Sequence, residues 1–195
     1  MTDLLLAAVA GWFAWSLRSA LPTNAHAALW LSRALGLTAL SGLIGGLYHA
    51  YAEDFPPALA SSWWFVTLLV VCAVSLAMDF GLVHVAVPAA RRRHWSVAVS
   101  LKFVAFGIVA IMHPVFLVAI IDYGLSLMAW TVAALVLRRP WRGWMLVGIG
   151  LSIVAAVVQQ MDWEILAHFN YNDLYHVIQA VALYGFYRAA RGLSP

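Results

Sequence analysis

The sequence predicts an all-α integral membrane protein, a single domain of seven transmembrane helices spanning residues 1–195. Three observations carry that prediction. Residues of the set AVILMFWYC fill 65% of the 195 positions and charged residues only 10%, whereas a soluble domain of this size needs far more charge on its surface. Mean hydropathy is +0.89. Apolar runs also recur along the whole chain, each near the roughly 17–25 residues that a bilayer crossing requires.

In chain order the runs fall at about 3–20, 28–50, 62–87, 95–113, 114–137, 143–160 and 174–190. The first meets Arg18 directly and has no small-residue cleavage motif behind it, so it reads as a span and not a signal peptide. The second carries Thr38, Ser41, Gly42, Gly45 and His49 on one helical face, and Pro56 and Pro57 end it. Its Gly42-x-x-x-Gly46 spacing reads as a helix-packing surface, and the same low-bulk face could line a cavity leading to His49. The third opens on Trp63-Trp64 and holds Cys72, the single cysteine of the chain, so an intrachain disulfide is excluded. The fourth and fifth form one apolar block that His113-Pro114 divides, because proline favours a helix start and restricts the residue before it. Lys102 lies in the fourth, and Asp122 lies roughly 12 Å into the fifth at 1.5 Å per residue. The sixth ends on Gln159-Gln160, and the polar run His168-Phe-Asn-Tyr-Asn-Asp-Leu-Tyr-His176 opens the seventh.

Charge placement supports the seven-span alternation. Arg18, Arg33, Arg91, Arg92, Arg93, Lys102, Arg138, Arg139, Arg142, Arg188 and Arg191 fall on or towards one side, and Asp3, Glu53, Asp54, Asp162, Glu164 and Asp173 on the other. The positive-inside rule then places the N-terminus outside and the C-terminus in the cytoplasm of a plasma (inner) membrane. The isoelectric point near 9.3 follows from this topology and argues for membrane lipid, not nucleic acid, as the partner. Trp63, Trp64 and Trp163 at the outer boundary, with Trp95, Trp141 and Trp144 at the inner one, fit aromatic belts.

Ionisable groups at membrane depth are costly and mark functional sites. Asn172, His176 and Gln179 share one face of the last helix, with Asp173 three residues before His176 and therefore beside it. His49 ends the second helix at the same expected depth. Histidines and carboxylates on facing helices are a common way to hold a metal, and a catalytic zinc needs three protein ligands and one open position. His49 and His176 with one of Asp173, Asp122 or His168 satisfy that count. Asp79 and Lys102, on adjacent antiparallel helices, are expected to form a structural ion pair, since intramembrane charges usually pair with one another.

Seven helices, a histidine ending the second and a polar histidine motif opening the last resemble the superfamily of alkaline ceramidases and progestin/adipoQ receptors. That pattern has Ser-x-x-x-His on helix 2, an Asp on helix 3 and His-x-x-x-His on helix 7, with three histidines on zinc. His49 matches the helix-2 histidine and His176 the second helix-7 histidine. Gly45 stands at the serine position, with Ser41 one turn further along the same face, and Asn172 stands at the first helix-7 histidine. Asp54 or Asp122 would replace the helix-3 acid. The resemblance implies a zinc-dependent hydrolase of a lipid amide or ester near the outer leaflet. His49 and His176, with Asp173, Asp122 or His168, would hold the metal, and an unligated acid among Asp54, Asp122 and Asp173 would act as general base. The departures at Gly45 and Asn172 imply an alternative, a catalytically silent lipid-binding or membrane partner protein. A third expectation is a proton or small-solute carrier using Asp122, Asp79 and Lys102. The last helix has no lysine, which sets aside a retinal Schiff base of the microbial-rhodopsin type.

Overall fold

The computed structural model describes residues 2–161, 164–166 and 169–193. Among them are seven helices: α1 Thr2–Ala20, α2 His26–Tyr51, α3 Pro57–Ala86, α4 Arg92–Met112, α5 Phe116–Leu137, α6 Arg142–Gln160 and α7 Tyr171–Arg191. Each overlies one of the expected runs. Local chemistry sets their ends. Pro57 occupies the first turn of α3, where its missing N–H costs nothing. Helix α4 stops at Met112 and α5 restarts at Phe116 across His113-Pro114-Val115, as the proline dictates. Arg138 takes a left-handed conformation (φ 47°) at the end of α5, the conformation that commonly closes helices. Between α6 and α7 the chain forms a short antiparallel pair, β1 Glu164–Leu166 with β2 Phe169–Asn170. The all-α expectation did not include this hairpin. Asp162, Trp163 and His168 lie outside the described residues.

Burial is arranged as a lipid surround requires. Large apolar side chains such as Leu101, Ile108, Met128, Val136 and Val157 point outwards, while Ser75, Asp79, Asp122, Ser126, Ser152, His176 and Gln179 are enclosed. Helices α2 to α6 are each long and apolar enough to cross a membrane, α2 and α4 together with their adjoining 3-10 turns. Helices α1 and α7 fall outside that set. They carry Thr2, Asp3, Asp173, His176 and Gln179, and they pack against each other, which turns their polar faces inward.

Association of apolar helices in lipid rests on close packing of small residues more than on the hydrophobic effect. Two contacts show this. A Cβ at Gly46 would lie 2.8 Å from Asp3 Cβ, and one at Gly42 would lie 3.1 Å from the Asp3 carbonyl oxygen, so the absent side chains of α2 let the start of α1 settle there. On α7, a Cβ at Gly185 would lie 2.7 Å from Gly148 N of α6. Helix α3 packs against α2, α4 and α5, and α7 against α6, α1 and α2. Short connections alternate the helix directions. The starts of α1, α3, α5 and α7 therefore share one polar end with the finishes of α2, α4 and α6. The arginines gather at the opposite, basic end.

Candidate functional site

At the polar end a cavity of about 390 Å³ opens between α1, α2, α3 and α7, lined among others by Asp3, Ser41, Gly45, His49, Asn172 and His176. Its best-organised feature is a hydrogen-bonded chain across α1 and α7. The Thr2 hydroxyl donates to Asp173 Oδ1 at 2.6 Å and lies 3.1 Å from His176 Nδ1, while His176 Nε2 lies 3.3 Å from Asp3 Oδ1. Thr2 has one proton, and it is directed to Asp173, so the His176 Nδ1–H donates to the Thr2 oxygen. The Nε2 edge then faces Asp3. A proton settles between them when the ring is charged, and a ligand hydroxyl or amide N–H could be received there when it is neutral.

Asp173 is held by the start of its own helix. Asn170 caps α7 by accepting from the backbone N–H groups of Asn172 and Asp173, and Asp173 Oδ2 accepts in return from Asn170 N. This is a capping box. The Thr2 hydroxyl, first, and the Asn170 backbone keep the Asp173 carboxyl below the usual carboxylate range. Much of the polar run before His176 is therefore helix-start chemistry.

A second cavity of about 450 Å³ adjoins the first and is lined chiefly by apolar side chains of α5 and α6, including Ile120, Gly124, Ile153, Ala156 and Val157. Val71, Phe116 and Tyr175 are walls of both cavities. At its α7 side, Gln179 Nε2 donates to Ser152 Oγ at 3.2 Å. Ile153 and Val157 are exposed on the outside of the bundle, so the groove faces sideways, towards where lipid would lie.

Deeper in the bundle lies a separate charged cluster. Lys102 Nζ is 2.7 Å from Asp79 Oδ2 and 3.0 Å from Asp122 Oδ1. It also donates to Ser75 Oγ at 2.8 Å and Ser126 Oγ at 2.7 Å. The expected Asp79–Lys102 pair is present, and Asp122 joins it. Enclosing such ions costs several kcal/mol each after relaxation, which only close pairing offsets.

The sequence-derived candidates thus divide. His49, His176 and Ser41 line the polar cavity, although Ser41 donates its hydroxyl to Thr38 O. His49 is exposed and packs edge-on to Trp64. Asp173 stands beside His176 through Thr2. Asp122 does not meet the histidines, because Lys102 reaches it from α4. Asp54 is exposed in the 3-10 turn after α2 and is not among the residues lining the cavity. His168 lies outside the described residues. Thr2 and Asp3 are the participants that sequence reasoning missed. Their signal was the stripe Gly42–Gly46, which required a partner helix and could have been matched to the start of α1. Among the described residues, no three His, Cys, Asp or Glu side chains are grouped as a metal would need.

Fold and site together define a helical bundle suited to a lipid surround, with a polar cavity and an apolar groove sharing walls. The chain belongs to a family of unknown function, DUF6962, which matches it over residues 1–195. No curated protein and no solved structure matches it.

Proposed function

We propose that this protein is a seven-span protein of the plasma (inner) membrane that binds an amphipathic lipid. The acyl chain would lie in the α5–α6 groove and the polar head in the α1–α2–α7 cavity. The observation that carries this reading is the common wall of the two cavities, Val71, Phe116 and Tyr175. An apolar groove with a few convergent polar groups at one end is the usual form of a site for such a ligand. Asp3, His176 and Asn172 would receive the hydroxyl or amide groups of the head. The N-terminus lies outside in this reading, because the arginines gather at the opposite end. Detergent-purified protein should carry a co-purifying lipid, measured by extraction and mass spectrometry, and Ala156→Trp, which fills the groove, should remove most of it. Equal lipid content in the two proteins would sink the proposal.

A second reading is favoured by the Asp3–His176 contact at 3.3 Å and by His49 on the same cavity. In it the site hydrolyses a lipid amide or ester, as the resemblance to the alkaline ceramidase and progestin/adipoQ receptor superfamily implies. The resemblance would put zinc on His49, His176 and a carboxylate, Asp3 being in contact with His176, to polarise the scissile carbonyl, although the described residues do not themselves bring three such ligands together. Release of fatty acid from acyl-amide lipids, lost in His176→Ala, together with stoichiometric zinc on elemental analysis, would favour this reading. Retained lipid without either result leaves the binding reading alone.

A further inference from the structure

The proposed lipid site makes no use of Asp122, the most enclosed acid among the described residues. Asp122 is fully buried; Lys102 Nζ stands 3.0 Å from its Oδ1 as an ion pair, but among the described residues neither carboxylate oxygen receives a well-directed hydrogen bond. An ionised carboxylate accepts several hydrogen bonds and is very costly to bury without them, whereas a neutral acid asks for fewer. Charge counting gives the same result by a separate route. Asp79 and Asp122 share the single ammonium of Lys102, so the fully ionised cluster keeps one uncompensated negative charge in the bundle.

The other groups around Asp122 do not supply the missing charge. From α3 it is faced by Cys72, Ser75 and Asp79, and from α4 by Lys102. Its own helix adds Ser126, whose Oγ lies 2.7 Å from Ser75 Oγ. Helix α6 has no titratable side chain beyond Arg142 at its start. The cluster is also reachable. A groove of about 470 Å³ between α3, α4 and α5 is lined by Asp79 and Lys102, with Arg91 and Trp95 towards the basic end.

We propose that Asp122, Asp79 and Lys102 form an exchangeable proton-binding site inside the bundle. One proton, taken from water in the α3–α4–α5 groove, adds to a carboxylate oxygen and brings the cluster from one negative charge to neutrality. The proton leaves by the same groove. The Lys102 ammonium is the cation against which that one proton balances the two carboxylates.

The test is infrared spectroscopy of the full chain in lipid nanodiscs at neutral pH, reading the carbonyl stretch of protonated carboxylic acids in H₂O and D₂O. The wild type should show one such band that shifts in D₂O. Asp122→Asn and Asp79→Asn should each lose it, because either variant leaves one carboxylate against one ammonium. Lys102→Met should double it. A wild type without the band overturns the proposal whatever the variants do. So does a band that survives both asparagine variants. None of these readings depends on a bound lipid.

Discussion

The two polar sites of this bundle contain the same kinds of side chain under opposite conditions. At the polar end His176 is shared between Asp3 and Thr2 beside an open cavity. In the interior Lys102 is shared between Asp79 and Asp122 at the side of the α3–α4–α5 groove. The first site has a face free to receive a ligand, and water can screen its charges. The second is reached through a groove whose walls are mostly apolar, so its charges must balance among themselves. Surroundings, more than residue type, therefore separate a candidate lipid site from a charge-balanced core.

The comparison breaks most visibly at Lys102. Lys102→Met removes the cation from two enclosed carboxyls, so both must take up protons to stay enclosed, and should lower stability by about 3–5 kcal/mol, read as a fall in the unfolding midpoint in detergent. Removing His176 should cost far less stability, because its cavity is open. Next in size is Gly46→Leu. Its Cβ would lie 2.8 Å from that of Asp3, and the larger side chain should cost about 1–3 kcal/mol while lifting Asp3 from His176. Bound lipid should fall in parallel. Asp3→Asn tests the same contact without a packing change. Losing one charge-assisted partner should weaken lipid retention about tenfold, the ratio that corresponds to about 1.4 kcal/mol, with the unfolding midpoint nearly unchanged.

The smallest effect concerns pH. Asp173 lies ahead of the apolar stretch of α7, and its carboxyl is held below the usual range by the Thr2 hydroxyl. A depressed carboxyl contributes stability that is present above its ordinary value and is lost as pH falls through the depressed one. In Thr2→Ala the contribution should be smaller, and its loss should be complete at a higher pH. A pH series of unfolding midpoints reads the displacement, and identical profiles for the two proteins would remove the Thr2 contact from the account.

The helices were legible because the bilayer imposes a length on every apolar run, and because Pro57 and His113-Pro114 mark boundaries by local sterics. The Asp79–Lys102 pair was legible too, since two isolated intramembrane charges on adjacent helices have few other partners. The placement of Asp122 was not. Its depth followed from counting residues, but its direction depends on how α5 rotates against α3 and α4, which periodicity of an almost uniformly apolar helix does not encode. Thr2 and Asp3 were hidden for a different reason. They lie at the opposite end of the sequence from His176, and α1 reaches α7 only because Gly42 and Gly46 admit it. Conversely, the run before His176 looked like a motif when part of it, Asn170 and Asp173, is a helix cap.

The account rests on the claim that the groove and the cavity form one site for an amphipathic lipid. The most direct measurement uses a lipid with a photoreactive diazirine along its acyl chain, incorporated into nanodiscs with the protein and mapped by mass spectrometry after illumination. The account predicts crosslinks concentrated on Ile120, Ile153 and Val157 and reduced by excess unlabelled lipid. Ala156→Trp should remove them. Crosslinks spread evenly over outward residues such as Leu101, Ile108 and Val136, with no competition and no response to Ala156→Trp, would contradict it.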